Sequence, residues 1–229
     1  MNKVTPADRP SPNFDERGRS VDMIILHYTG MLTAKEALNR LTDSASKVSA
    51  HYVVDEGGAI YALVPERMRA WHAGVSAWKG ETDINARSIG IEIINPGHEW
   101  GYRKFPAKQI DLVAALIRDI KTRHEVPVTR VLGHSDVAPQ RKEDPGELFP
   151  WGKLAAEGLA VGRYCGDEEP SIPYEDALAM LRAIGYDAPE KAHAAALVAF
   201  QRRFCPKALA QGFSPLTKAA LNWAAGIFS

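Results

Sequence analysis

Apolar side chains along this chain follow two periods, and the switches between them mark out its elements. The run VDMIILHYTG is apolar up to His27 and closed by Gly30, which suits a strand buried on both faces. TAKEALNRL places Ala34, Ala37, Leu38 and Leu41 on one helical face, with Thr33 and Glu36 spaced as a capping box. AHYVVDEGGAIYALV reads as a hairpin, two apolar strands around Glu56, Gly57 and Gly58, where glycine permits the positive φ of a tight turn. RSIGIEIIN is a further buried strand, ended by Asn95-Pro96-Gly97 and carrying a charged Glu92 inside it. PAKQIDLVAALIRDIKTRH predicts the clearest helix, with Pro106 at its start and Ile110, Val113, Ala114, Ile117 and Ile120 along one face. VTRVLGH supplies another strand, ending at His134. Strands alternating with helices predict an α/β layer structure in which polar residues at strand ends converge on one edge of the sheet.

Outside this alternation lie two different segments. Residues 1–20 are polar and Pro-rich and read as an extended leader, and residues 21–165 form the main domain. The acidic, Pro-containing DEEPS interrupts the apolar pattern and marks a boundary near Pro170. Residues 170–229 then hold YEDALAMLRAIGYD, KAHAAALVAFQRRF and TKAALNWAAGIF, three amphipathic stretches expected to bury their apolar faces against one another as a small three-helix domain.

Composition narrows the function. A length of 229 residues with 45% hydrophobic content supplies a real core. Lys plus Arg and Asp plus Glu are both 28, so no net positive field exists to hold nucleic acid by counterion release. No apolar run approaches membrane-spanning length, and the leader lacks the apolar stretch of a signal peptide, so the chain as written is expected in the cytoplasm, with the periplasm or cell envelope as the alternative. Cys165 and Cys205 lack the spacing of a zinc or redox motif and read as free thiols, a bridge between them being the alternative.

The candidate chemistry gathers at strand ends. His27, Glu92 and His134 each terminate or interrupt an apolar strand, and a carboxylate there loses several kcal/mol of hydration, on the order given by transfer data, unless it is paired or metal-linked. Two neutral imidazoles and one carboxylate form a common zinc set that leaves a position for water. The loop GHSDVAPQRKEDPG can complete it: Pro145 favours an extended Asp144, and residues two apart then face the same way, so Lys142 and Asp144 point to one centre while Glu143 turns away. Spacing alone leaves a metal site and a solvated charged loop equally open.

The motifs IILHYTG, SAHYVVDEGGAIYALVPE, RAWHAGVSAW, RSIGIEI and GHSDVAPQRKEDPG, in this order over residues 22–151, together resemble the zinc-dependent N-acetylmuramoyl-L-alanine amidases of the AmpD and AmiD kind. The resemblance implies a mixed sheet flanked by helices and carries binding of one zinc ion onto His27, His134 and Asp144, with Glu92 and Lys142 matching the catalytic Glu and Lys. It implies hydrolysis of the amide between N-acetylmuramic acid and L-alanine, with peptidoglycan or a muropeptide as the partner. Glu92 is then expected to be the general base and Lys142 to stabilise the developing oxyanion. The C-terminal pieces ALAMLRAIGY, AFQRRF and TKAAL are similar to helical peptidoglycan-binding domains. A non-hydrolytic peptidoglycan-recognition protein on the same fold is the rival reading.

Substrate contacts are expected from Tyr28, His51, Trp71, His72, Asn85 and Arg87, although His51 and His72 also fit packed histidines and Trp71 also fits the core. Arg87 could hold a stem-peptide carboxylate. Asp136 and Arg141 read as braces of the loop.

Overall fold

The computed structural model describes residues 5–168 and 173–229. Its strands are β1 (Ala7–Asp8), β2 (Phe14–Glu16), β3 (Met23–Tyr28), β4 (Tyr52–Val54), β5 (Ile60–Ala62), β6 (Met68–Ala70), β7 (Ala77–Trp78), β8 (Glu81–Thr82), β9 (Ser88–Ile93) and β10 (Val131–Gly133). The helices are α1 (Ala34–Thr42), α2 (Ile84–Arg87), α3 (Gly97–Trp100), α4 (Ala107–Lys121), α5 (His134–Val137), α6 (Trp151–Ala156), α7 (Tyr174–Ile184), α8 (His193–Phe204) and α9 (Pro215–Phe228).

Six strands form one mixed sheet in the order β1-β5-β4-β9-β3-β10. The β4, β9, β3 and β10 strands run parallel, and the hairpin partner β5 runs antiparallel to β4. The side-chain period of two sorts the central strands between two cores. Ile24 and Leu26 of β3 and Ile89, Ile91 and Ile93 of β9 pack on the apolar stripe of α4, with Ile110, Val113, Ala114 and Ile117. Met23 and Ile25, on the opposite face, join Leu132, Trp78 and the C-terminal helices. Helix α1 closes a third cluster over Val53, and its Thr33–Glu36 capping box is formed in both directions.

Three expectations change here. The C-terminal stretches are helices α7 to α9, but they do not bury their faces only against one another: Leu181, Phe200, Leu221 and Phe228 share one apolar cluster with Met23, Ile25 and Leu132. The physical reason is that Met23 and Ile25 need a cover on a face that α4 cannot reach. Part of the supposed leader belongs to the sheet, since β1 pairs parallel with β5 and β2 pairs with β6, while Arg17 is buried with its guanidinium on the carbonyls of Ala86 and Ser88. Strand β10 stops at Gly133, so His134 opens the short helix α5, whose first turn is closed by Asp136 accepting from the Gly133 N–H at 2.8 Å. The boundary near Pro170 lies outside the described residues. Cys165 and Cys205 are both free.

Candidate metal centre

Parallel register fixes the first two groups. His27 on β3 stands directly opposite Glu92 on β9, so both project from the same face at the C-terminal ends of their strands. β10 delivers His134 one residue past its end, beside β3. The loop after α5 folds back on itself: Ala138 accepts from Arg141 and Lys142, and the Asp144 carbonyl accepts from the Ser135 N–H at 2.9 Å. That bond seats Asp144 next to His134. A cis peptide joins Asp144 to Pro145, whose carbonyl accepts from the Tyr102 hydroxyl at 2.7 Å. Gly133 must lack a side chain here, because a Cβ would come within 2.7 Å of the Pro145 ring.

His27 Nδ1, His134 Nδ1 and Asp144 Oδ2 form a buried triangle with sides of 2.9, 2.9 and 3.1 Å. The surrounding hydrogen bonds decide which atoms carry protons. Ser88 commits its hydroxyl hydrogen to the Ile84 carbonyl at 2.6 Å, so its oxygen accepts from His72 Nε2 at 3.2 Å. His72 Nδ1 is then the acceptor for His27 Nε2–H at 3.1 Å. His134 donates its own Nε2–H to the Ala73 carbonyl at 3.0 Å. Each imidazole has spent its one proton on the far side of its ring, so two bare nitrogen lone pairs and a carboxylate oxygen face one another. Three electron pairs at that separation repel unless a cation lies among them, and the donor set is that of a tetrahedral zinc-type centre with a remaining position.

The electrostatics agree. Burial, with His134 nearby, pushes the His27 imidazole down to about 4, which keeps it neutral and able to ligate. Burial alone would raise the Asp144 carboxyl, but positive charge among the three groups outweighs that and lowers it, the part a bound cation would play here. Glu92 behaves oppositely: burial, reinforced by the charge of Asp144, raises its carboxyl well above the ordinary value, and Oε2 is buried with no hydrogen-bond partner.

These residues line one cavity of about 510 Å³ together with Tyr28, Trp71, His72, Arg40, Arg141 and Lys142. Lys142 and Asp144 line it, but so does the residue between them, and the expected alternation of the loop does not hold. Glu143 does not turn away: it reaches the cavity wall and pairs with Arg202 at 2.9 Å. Of the expected substrate contacts, Tyr28, Trp71 and His72 lie on the wall, whereas His51, Asn85 and Arg87 do not. His51 is buried beyond the His72 ring, 5.7 Å from it, and accepts from the Gly90 N–H at 2.9 Å. Asn85 accepts from the backbone of His72 and Ala73 and so holds the segment that orients the His27 and His134 imidazoles. Arg87 pairs with Asp22 and Glu81. Arg141 braces the loop as expected, donating to the carbonyls of Ala73 and Val75.

Sequence reasoning missed the orienting role of His72, whose signal is Gly90: a Cβ there would sit 2.5 Å from the His72 ring. It also missed Tyr186, Arg202 and Arg203, which approach the loop from the C-terminal helices.

A sequence profile of the N-acetylmuramoyl-L-alanine amidases matches residues 17–147. The chain is 36% identical over 211 residues to the N-acetylmuramoyl-L-alanine amidase AmiD of Escherichia coli, covering 81% of this chain and 75% of that protein. It is 29% identical to the 1,6-anhydro-N-acetylmuramyl-L-alanine amidase AmpD of Haemophilus influenzae, over 62% of this chain and 85% of the relative. Among solved structures, E. coli AmiD in complex with the substrate anhydro-N-acetylmuramic acid-L-Ala-D-gamma-Glu-L-Lys superimposes with a TM-score of 0.79 and 31% identity, covering 93% of this chain and 91% of that one. AmpDh3 of Pseudomonas aeruginosa gives 0.79 with 29% identity, over 99% of this chain and 98% of that one.

Proposed function

The chain belongs to the N-acetylmuramoyl-L-alanine amidase family, and on that premise we propose that it hydrolyses the amide between N-acetylmuramic acid and the L-alanine of the stem peptide, using one zinc ion held by His27, His134 and Asp144. The observation that carries this reading is the meeting of two proton-free Nδ1 atoms and a carboxylate oxygen beside the half-buried Glu92, whose Oε2 is buried without a partner. Zinc, when bound, lowers the pKa of a coordinated water from about 16 to about 7. Glu92, whose raised carboxyl retains a high proton affinity, takes the proton from the attacking water and returns it to the leaving amine. Lys142 lines the same cavity and supplies a positive charge for the oxygen on which negative charge develops. Tyr28 and Trp71 line the cavity and offer aromatic surface to a sugar or peptide.

The finer reading of α7 to α9 as a peptidoglycan-binding unit rests on the likeness of AFQRRF and TKAAL to such modules. Its outward face would add affinity for a polymer without changing chemistry on a small muropeptide.

Metal analysis and product mass spectrometry test the proposal together. We expect one zinc per chain, its loss in His27→Ala, and release of free stem peptide from an anhydro-muropeptide. Intact substrate after incubation with the zinc-loaded protein would reject hydrolysis, and a wild-type protein without metal would reject the centre. Co-sedimentation of the full chain with insoluble peptidoglycan tests the wall-binding role, and retention in the supernatant would overturn it.

A further inference from the structure

Helix α8 carries two consecutive arginines, Arg202 and Arg203, that are both buried. Burying a guanidinium is costly unless its charge is compensated, and both charges face carboxylates of one loop, although the Nε of each has no hydrogen-bond partner. Arg203 lies 3.5 Å over the Trp151 ring, donates to the Val161 carbonyl and brings Nε to 3.7 Å from Asp136 Oδ2. Asp136 is fully buried, and its other oxygen accepts from the Tyr186 hydroxyl at 2.6 Å. Through Oδ2 it fixes the Gly133 N–H, one residue before His134. Arg202 takes the far end of the same loop, pairing with Glu143 at 2.9 Å and Glu147 at 3.4 Å, the residues that flank Asp144-Pro145-Gly146. Glu147 continues to His98, and His98 to the Tyr28 hydroxyl beside His27.

We infer that Tyr186, Arg202 and Arg203 are positioning residues for the metal centre: reaching from the C-terminal helices, they hold both ends of the 133–147 loop and thereby set the spacing of His134, Lys142 and Asp144. The inference rests on the metal-centre reading above and goes beyond it, because it makes the C-terminal helices part of the frame of the site. A ligand triangle with sides of 2.9 to 3.1 Å tolerates little play in the segment that supplies two of its corners. The three clamping side chains come from outside the profile match at 17–147, so the frame of the site is divided between two parts of the sequence.

The test is zinc affinity by chelator competition, with kcat and KM on a soluble muropeptide at saturating zinc so that polymer binding plays no part. Tyr186→Phe removes one oxygen and keeps the ring against Trp78 and Phe200. Arg202→Gln releases the other end of the loop and provides an independent variant, and Arg202→Lys serves as the conservative rescue. We expect each of the two releasing variants to lose about 10- to 100-fold in zinc affinity, the scale of lost ligand-supporting hydrogen bonds, and to lower kcat with KM nearly unchanged. Arg202→Lys should restore part of both. Wild-type zinc affinity and kcat in both releasing variants would overturn the inference, even if their melting temperatures fall, because the contacts would then serve stability alone. A wild-type chain that binds no zinc would instead sink the metal-centre reading, so the two failures are distinct.

Discussion

The residue that most clearly departs from its surroundings is Glu92, a carboxyl near the end of an otherwise apolar strand. It was legible in the sequence for that reason, as were His27 and His134 at the ends of theirs. What was not legible is the proton wiring behind them: Ser88, His72 and Ala73 determine which imidazole nitrogen is bare, and these lie on two separate segments with no common period. Periodicity reports which face a residue occupies and says nothing of which distant hydroxyl meets it. At this scale we expect Glu92→Gln to keep its zinc, since the amide preserves shape, while turnover falls about 10²- to 10⁴-fold, the usual weight of a general base. Metal content measured beside the rate separates the two effects, and a near wild-type rate would remove Glu92 from the proton transfer.

Elements were the most legible level, because capping and amphipathic signals are local. The α1 capping box, the α4 stripe and the β4–β5 hairpin all stand where the pattern placed them. Hidden in the sequence was a polar tie between the end of α4 and the sheet, made through one carboxylate. Glu66 accepts from Tyr52 of β4 at 2.7 Å and pairs with Arg123 and His124 just beyond α4 at 2.8 Å each. Burial would raise its carboxyl, but these bonds prevail and bring it from 4.5 down to about 2. A depressed carboxyl stabilises the fold above its unfolded pKa and loses that contribution as pH falls through the folded value. Glu66→Gln should therefore be less stable than wild type at neutral pH, with the difference shrinking between about pH 4.5 and 2. Chemical unfolding of both proteins across that window measures it, and a difference independent of pH would refute the linkage.

At the scale of the whole molecule, amphipathic periodicity correctly predicted three C-terminal helices but not their partner. A helical stripe states that a face is buried without stating against what, and here the cover is for Met23, Ile25 and Leu132 as much as for the helices themselves. The consequence is cooperativity. Phe200 is fully buried in that shared cluster, and Phe200→Ala should destabilise the entire chain by about 3–5 kcal/mol in one transition. Calorimetry showing an early C-terminal transition with the remainder unmoved would mean that the two parts fold separately.

The small strand β1 has a bearing on solubility. It occupies the outer edge of the main sheet, where it satisfies the backbone of Tyr61 and Ala62 on β5. Lysines and arginines balance aspartates and glutamates at 28 each, so copies of this protein meet without long-range repulsion, and their colloidal stability depends on short-range features such as a sheet margin that ends in a two-residue strand. Deleting residues 1–10 should leave an open row of amides on β5 and turn a monodisperse solution into one whose light scattering grows with protein concentration near pH 7, while a variant that stays monodisperse would assign the protection to another part of the surface.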